Sequence, residues 1–451
     1  MEHRVLSPTA ILGYGFPSQS FGRGIERNPD IIAVDAGSTD PGPYYLGAGE
    51  SFTTRDAVLR DLSLLLPAAV DGGIPLIIGS AGGSGASDHV DWTVALIKEI
   101  AARLRLVFRM GIIYSDIAPR DLLGYWEAGR VRALRSVPEL SAATILGTIR
   151  IVAQFGVEPI QQALSQGCQV IVCGRCYDPA PFAAAAIAKG FDPGLALHMG
   201  KILECGAIAA TPGSGSDCVL GTLGPQSFTL EALDPRRTFT PLSTAAHTLY
   251  EKSDPYMLPG PGGALDLRRV RFDALDDGRV RVSGSRFVPE ELPTVKLEGV
   301  RQIGYRTICI AGIRDPILIS QIDTVLESTR LTVSESWRDD PDVAIIFRAY
   351  GRNGVMGSRE PLSDRWCHEL GLIIEAIAST QERANSACAV VRSTLLHVGY
   401  PRRKTTAGNL AFPYSPSDIE CGPVYEFSIY HLLTPDGPST LFPVQVQEVR
   451  P

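Results

Sequence analysis

The chain lacks any apolar run of transmembrane length, and no leader pattern opens it. A cytoplasmic protein that meets no membrane is therefore expected. Cysteine is scarce and odd in number, nine in 451 residues. That argues against a disulfide framework and for reduced thiols. A basic excess is also missing: 42 Lys and Arg face 49 Asp and Glu, for a net charge of −7. A nucleic-acid partner is not favoured by that balance. There is no Walker loop, no HExxH and no Gly-x-Ser-x-Gly elbow. Histidine is rare as well, with seven residues, so each one near a candidate loop carries weight.

What is present alternates between short apolar runs and helical patterns. Thr9 to Leu12, Ile31 to Val34, Ile74 to Ile78, Arg109 to Tyr114 and Val170 to Cys173 read as buried strands. Arg55 to Val70, Val90 to Arg103, Ile145 to Phe155 and Pro181 to Lys189 read as helices. Such alternation predicts an α/β fold, a mostly parallel sheet flanked by helices. Pro259-Gly260-Pro261-Gly262-Gly263 is the strongest linker signal. It suggests an α/β catalytic domain over 1–258 and an α+β domain over 259–451, of ferredoxin-like type. The second domain contains strands near Arg306 to Ala311, Val343 to Tyr350 and Tyr425 to His431, and helices at Pro316 to Glu327 and Cys367 to Val398. The long helix Cys367 to Val398 could pack the two domains or a second subunit. A homo-oligomer is expected on the general ground that most soluble oligomers are symmetric homo-oligomers.

Ligands of open α/β sheets bind beyond the carboxyl ends of the strands. Four loops qualify by position. Gly13-Tyr14-Gly15-Phe16 follows the first strand. Asp35 to Gly47 holds a strand-end carboxylate, the hydroxyls of Ser38 and Thr39, and the pocket-forming Tyr44 and Tyr45. Gly79 to Gly85 is a loop of small residues between a strand and a helix, able to turn bare backbone N–H groups to an anion through Ser80, Gly82, Gly83, Ser84 and Gly85. Gly174 to Pro179 pairs Arg175, a carboxylate clamp, with Asp178, which is either a base or the holder of Arg175. His89 and His198 lie beside these loops and are acid/base candidates by intrinsic pKa. Glu204 and Gly206 close the helical stretch that begins at Leu197, and Arg306 in the C-terminal half joins the substrate-binding set.

Two signals are discounted. Gly13-x-Gly15 with Asp35 imitates a dinucleotide fingerprint, but Ser18 stands at the third glycine position. Cys173-Gly174-Arg175-Cys176 is a CxxC without a second pair, so zinc is weakly indicated, and Cys173 completes an apolar strand.

Taken together, Asp35 to Gly47, Ile78 to Gly85, Cys173 to Asp178 and His198 to Gly206 resemble the acyclic terpene utilisation (AtuA-like) family over most of residues 5–270. The resemblance implies catabolism of branched or acyclic carboxylic acids, often as CoA thioesters. Arg175, Asp178, Glu204 and the loop glycines fall on its recurring motifs. The expected function is a lyase of hydratase/dehydratase type acting on a small carboxylic acid or its acyl-CoA thioester. Gly82 to Gly85 and Arg175 would clamp the anion, and Asp35, Asp178 or His198 would move protons. One alternative is a hydrolase of an ester, amide or lactam using Ser38 or Ser84. Another is a non-catalytic acyl-CoA-binding or scaffold subunit. No cofactor is encoded, while a divalent metal on Asp35, Asp40, Asp116 and His198 stays open.

Overall fold

The computed structural model describes residues 2–134, 137–250, 254–336, 343–362 and 365–451. The chain divides into two compact units, Met1–Arg301 with Phe427–Pro451, and Gln302–Glu426. The Pro259 to Gly263 stretch lies inside the first unit, not at its border. Its Pro-Gly pair turns the chain between two antiparallel strands, Met257–Gly260 and Gly263–Asp266, with Gly262 at φ +78°.

The first unit is built on a ten-stranded sheet. Its strands are β1 (His3–Ser7), β2 (Ile31–Asp35), β3 (Leu76–Gly79), β4 (Phe108–Ile113), β5 (Val170–Cys173), β6 (Val219–Leu223), β7 (Ser227–Ala232), β8 (Arg271–Ala274), β9 (Val280–Ser283) and β10 (Val444–Val449). They lie in the order β8-β9-β7-β6-β1-β2-β3-β5-β4-β10. The five strands from β1 to β4 in that order run parallel, and the strands at both flanks are antiparallel. The sheet is thus mixed, with a parallel centre. The central strands are continuous apolar runs because both of their faces are covered. Ile31 and Ala33 pack on one side with Phe182, Ala183 and Ile202. Ile32 and Val34 pack on the other with Leu62, Leu66 and Ile97.

Helices cover both faces. α1 (Arg55–Gly72) and α2 (Ser87–Leu104) pack together on one face, while α3 (Ala180–Ala188) packs on β2 and β3 and against α4 (Pro193–Leu203). The chain leaves β3 for α2 on one face and leaves β5 for α3 on the other. The neighbours β3 and β5 therefore mark a topological switch point, where the carboxyl ends of the strands open a crevice.

Three expectations about elements change. The first strand is His3–Ser7 rather than Thr9 to Leu12, because Pro8 brings no N–H to a ladder. The amides of Ala10 and Leu12 are instead bonded to the carbonyls of Gly215 and Asp35. Ile145 to Phe155 is not a helix: Ala142–Leu146 is helical and Arg150–Gln154 is a strand that pairs with Lys296 to Val300. Cys367 to Val398 is likewise two elements, the strand Leu370–Ala378 and the helix Gln381–His397. Thr380 caps that helix by accepting a hydrogen bond from the Arg383 amide. No single long helix spans the stretch on which a subunit contact was to rest.

In the second unit the elements run strand, two helices, strand, strand, helix, strand. Its first strand belongs to Val295–Ile313, which pairs antiparallel with Leu370–Ala378, and that strand pairs with Ala344–Tyr350. Leu318, Leu372, Ile374, Val391 and Leu395 form its core. Among the described residues no helix is long and apolar enough to cross a membrane.

Candidate functional site

Asp35 ends β2 directly opposite Gly79, the last residue of β3, and the Ala36 amide donates to the Gly79 carbonyl. The loop after β5 completes the crevice. Arg175, only 2% exposed, sends Nε to Glu298 Oε2 at 2.8 Å and Nη1 to Asp178 Oδ1 at 2.7 Å. The same Nη1 donates to Ser80 Oγ and to the Cys176 carbonyl, both at 3.1 Å. Glu298 also accepts from Thr39 Oγ1 at 2.9 Å, and Lys296 Nζ stands 2.7 Å from it. From α4, Lys201 forms an ion pair with Glu204. Arg175 is thus an organiser: its charge is met by two carboxylates inside the protein.

Four carboxyl groups, Asp35, Asp178, Glu204 and Glu298, here face three cations, Arg175, Lys201 and Lys296. A buried network of that kind is neutral only if one carboxyl keeps a proton. Asp35 is the one that keeps it. Burial pushes its pKa well above the usual carboxylate range, and the charges of Asp178 and Glu204 push it further. Glu298 goes the other way. Burial opposes its ionisation, but Arg175 and Lys296 outweigh that and hold it at about 2. Burial would drive the Lys201 ammonium down, yet Glu204 holds it above its ordinary value.

The glycine loop is shaped by backbone contact. A Cβ on Gly85 would lie 2.1 Å from the Arg175 amide nitrogen, and its φ is +67°. Gly37 also passes close to Gly83, where a Cβ would lie 3.0 Å from the Gly83 Cα. Ser80, a residue with a side chain, is held at φ +41°, the kind of strain that collects at functional sites. The amides of Ala81, Gly83 and Gly85 are bonded to the carbonyls of Cys173, Ser80 and Ala81. Asp116 accepts from the Ser87 amide at the start of α2, so a carboxylate of the protein already meets that helix end. The Ser84 hydroxyl is buried without a partner among the described residues. Gly85→Ala is expected to cost about 1–3 kcal/mol from overpacking alone. It should also displace Arg175, and chemical denaturation checks it.

The remaining sequence candidates scatter. His198 is buried edge-on to the rings of Phe228 and Phe272, and its two nitrogens bond Ser285 Oγ at 2.7 Å and Thr248 Oγ1 at 3.0 Å. Burial lowers its pKa to about 3, so it stays neutral. An unfolded His198 takes up its proton below pH 6.5 and a folded one only near pH 3. Stability is therefore lost as pH falls through that window. His198→Gln keeps hydrogen-bonding capacity and removes the titration, so its melting temperature should fall less than that of the parent between pH 7 and pH 5. His89 packs under Gly82 and bonds the Glu50 carbonyl at 2.8 Å. Ser38 Oγ accepts from the Asp40 amide within its own turn. Tyr44 donates to Glu50 at 3.2 Å, and Tyr45 packs edge-on to Tyr44 and Phe52. Arg306 lies in the second unit, where its guanidinium pairs with Glu375. Cys173 and Cys176 are both fully buried free thiols. Among the described residues no three His, Cys, Asp or Glu side chains are placed to share a metal ion. Asp116 and His198 are each engaged elsewhere.

Sequence reasoning missed Lys201, Lys296 and Glu298, and it named Thr39 only for its loop hydroxyl. The alternation Val295-Lys296-Leu297-Glu298 did carry a signal, since it puts two opposite charges on one face of a strand.

The family model for the acyclic terpene utilisation family protein AtuA matches residues 51–217 and 237–406. The matched stretches take in the glycine loop, Arg175, Asp178, Lys201, Glu204 and Glu298, and they reach well into the C-terminal half. Asp35 precedes the first matched residue. No curated protein and no solved structure matches the chain. With most of its length matched, the chain belongs to the acyclic terpene utilisation (AtuA) family.

Proposed function

We propose that the chain is a lyase of hydratase/dehydratase type, acting on a small carboxylic acid or its acyl thioester in the crevice between β3 and β5. One observation carries this reading: four carboxyl groups, three of them buried, lie with three cations, so that Asp35 stores a proton beside Asp178, the ion-pair partner of Arg175. Such a pair is what adding or removing water requires. In the dehydration direction, Asp178, about a quarter exposed, takes the proton from the carbon next to the carbonyl. Asp35 gives its proton to the departing hydroxyl, a carbon–carbon double bond forms and water leaves. The proton on Asp178 then restores the one that Asp35 gave. Arg175 acts as a positioning residue, fixing Asp178 through Nη1 and tying the loop to Glu298. Glu204, held by Lys201, supplies part of the negative field that keeps Asp35 protonated. The second unit, whose strand, two helices, strand, strand, helix, strand order differs from the ferredoxin-like pattern by the short helix Pro316–Ile319, supports a reading as a ferredoxin-like domain.

The test is a screen of hydroxyacyl and enoyl acids, free and as thioesters, read by mass spectrometry. A product differing from substrate by one water supports the lyase. A covalent acyl-enzyme on Ser38 or Ser84 in intact-mass measurements would replace it with the hydrolase.

A further inference from the structure

Three residues of the loop after β3, Gly82, Gly83 and Gly85, have positive φ, and glycine meets that demand without steric cost. Ser80 in the same loop is the exception. It is held at φ +41° with a side chain, and it is 0% exposed. Among the described residues the other non-glycine positions with positive φ are Asn28, Arg105 and Arg402, and all three are exposed. A buried serine in that conformation persists only where its surroundings fix it.

The backbone on both sides does so. Gly79 is paired with Asp35, and a Cβ there would lie 2.8 Å from Pro181 Cγ. The Ser80 carbonyl accepts from the Gly83 amide at 2.9 Å, and the Ala81 amide donates to the Cys173 carbonyl at 2.9 Å. What the strain serves is the direction of the side chain. Ser80 Oγ accepts from Arg175 Nη1 at 3.1 Å and reaches the Cys176 carbonyl at 3.5 Å. Ser80 belongs to the loop after β3, and Arg175 and Cys176 belong to the loop after β5. The hydroxyl therefore spans the crevice at the switch point. The Nη1 that it holds is the one that donates to Asp178 Oδ1 at 2.7 Å. A glycine in its place would relax the backbone and lose this contact.

We propose that Ser80 is a positioning residue: its hydroxyl clasps Arg175 across the crevice and through it sets Asp178, and the strained backbone serves that contact. The inference rests on the reading of Asp178 as the base. Ser80 then acts on the substrate only through Arg175 and Asp178.

The test compares Ser80→Ala, which keeps the Cβ and its strain but loses the hydroxyl, with Ser80→Gly, which loses both. Ser80→Gly should melt at a higher temperature than Ser80→Ala. The clasp is read without a substrate, by treating the full chain with phenylglyoxal and following the Arg175 peptide by mass spectrometry. Arg175 is 2% exposed in the parent. It should label at least about threefold faster in both variants once one of its hydrogen bonds is gone. On a substrate found in the water-loss screen, kcat should fall at least about tenfold in both, the share of a hydrogen bond to a charged group. KM should change little, because Ser80 does not touch the substrate. A serine with a purely structural role gives a different pattern: the relaxed Ser80→Gly would keep parental labelling and turnover, and that result overturns the proposal. Parental labelling in both variants overturns it too, as does faster labelling with an unchanged kcat. Should Ser80→Ala fail to fold by circular dichroism, Ser80→Gly decides alone by the same readouts. Faster labelling with no water-loss or water-gain product from any substrate sinks the reaction and leaves the clasp. A water-loss product beside unchanged labelling sinks the clasp alone.

Discussion

Glu298→Ala is expected to lower the unfolding free energy by about 3–5 kcal/mol, the usual result of removing one partner from a buried ion pair. The size follows from what the change strands. Arg175, Lys296 and Thr39 all direct donors at this one carboxylate, which is 1% exposed. Without it, Arg175 keeps only Asp178 as a charged partner, and desolvation of the guanidinium is no longer offset. Urea denaturation of parent and variant measures the difference, and a loss below about 1 kcal/mol would mean that the network is not the tightly buried pair described. Glu298 also sets an acid limit. Its folded pKa of about 2 lies below the ordinary glutamate value of 4.5, so its contribution is complete above 4.5 and is lost as pH falls through 2. Glu298→Gln removes the charge but keeps an acceptor, and it leaves three carboxyls facing three cations. Asp35 then has less reason to keep a proton, so the alkaline limb that it sets in the pH–rate profile should move to lower pH.

Asp35→Asn should abolish turnover, by at least about 100-fold, the ordinary share of a positioned acid or base. The fold should become more stable at the same time. Asp35 has a raised folded pKa, so the native state holds a proton that the unfolded chain releases. Stability is therefore present at low pH and falls as pH rises from the unfolded carboxylate range through the folded pKa. An asparagine fills the same space and has no charge to desolvate. The melting temperature at pH 8 should rise in the variant, while at pH 4 the two proteins should converge. Such an exchange of stability for activity is characteristic of a site that stores strain or charge for use. Retained turnover would remove Asp35 from the mechanism, and a drop in melting temperature at pH 8 would remove the stored proton.

Much of the α/β unit was legible because burial on both faces leaves continuous apolar runs. Ile31 to Val34 and Val170 to Cys173 could hardly be anything but central strands. The strand-end position of Asp35 and the nearness of Arg175 to Asp178 were legible for the same reason. Two mixed stretches were not. In Ile145 to Phe155 and Cys367 to Val398 a strand adjoins a helix with few residues between, and apolar residues of period two merge into those of period 3.6. The partner of Arg175 was out of reach in principle. Glu298 lies 123 residues further on, and only the folded sheet brings it near. The expected anion clamp became an organiser for that reason, since a sequence shows an arginine but not what already neutralises it.

The edge strand β10 has a consequence for the order of synthesis. It is Val444–Val449, and it pairs along the whole of β4. During translation β4 is made more than 330 residues earlier than its neighbour, to which it pairs from Phe108↔Val449 to Ile113↔Val444. Until Val444–Val449 leaves the ribosome, β4 presents an open row of backbone donors and acceptors, the kind of edge on which chains aggregate. A nascent or truncated chain ending before Val444 should thus depend on chaperones in a way that a chain containing β10 does not.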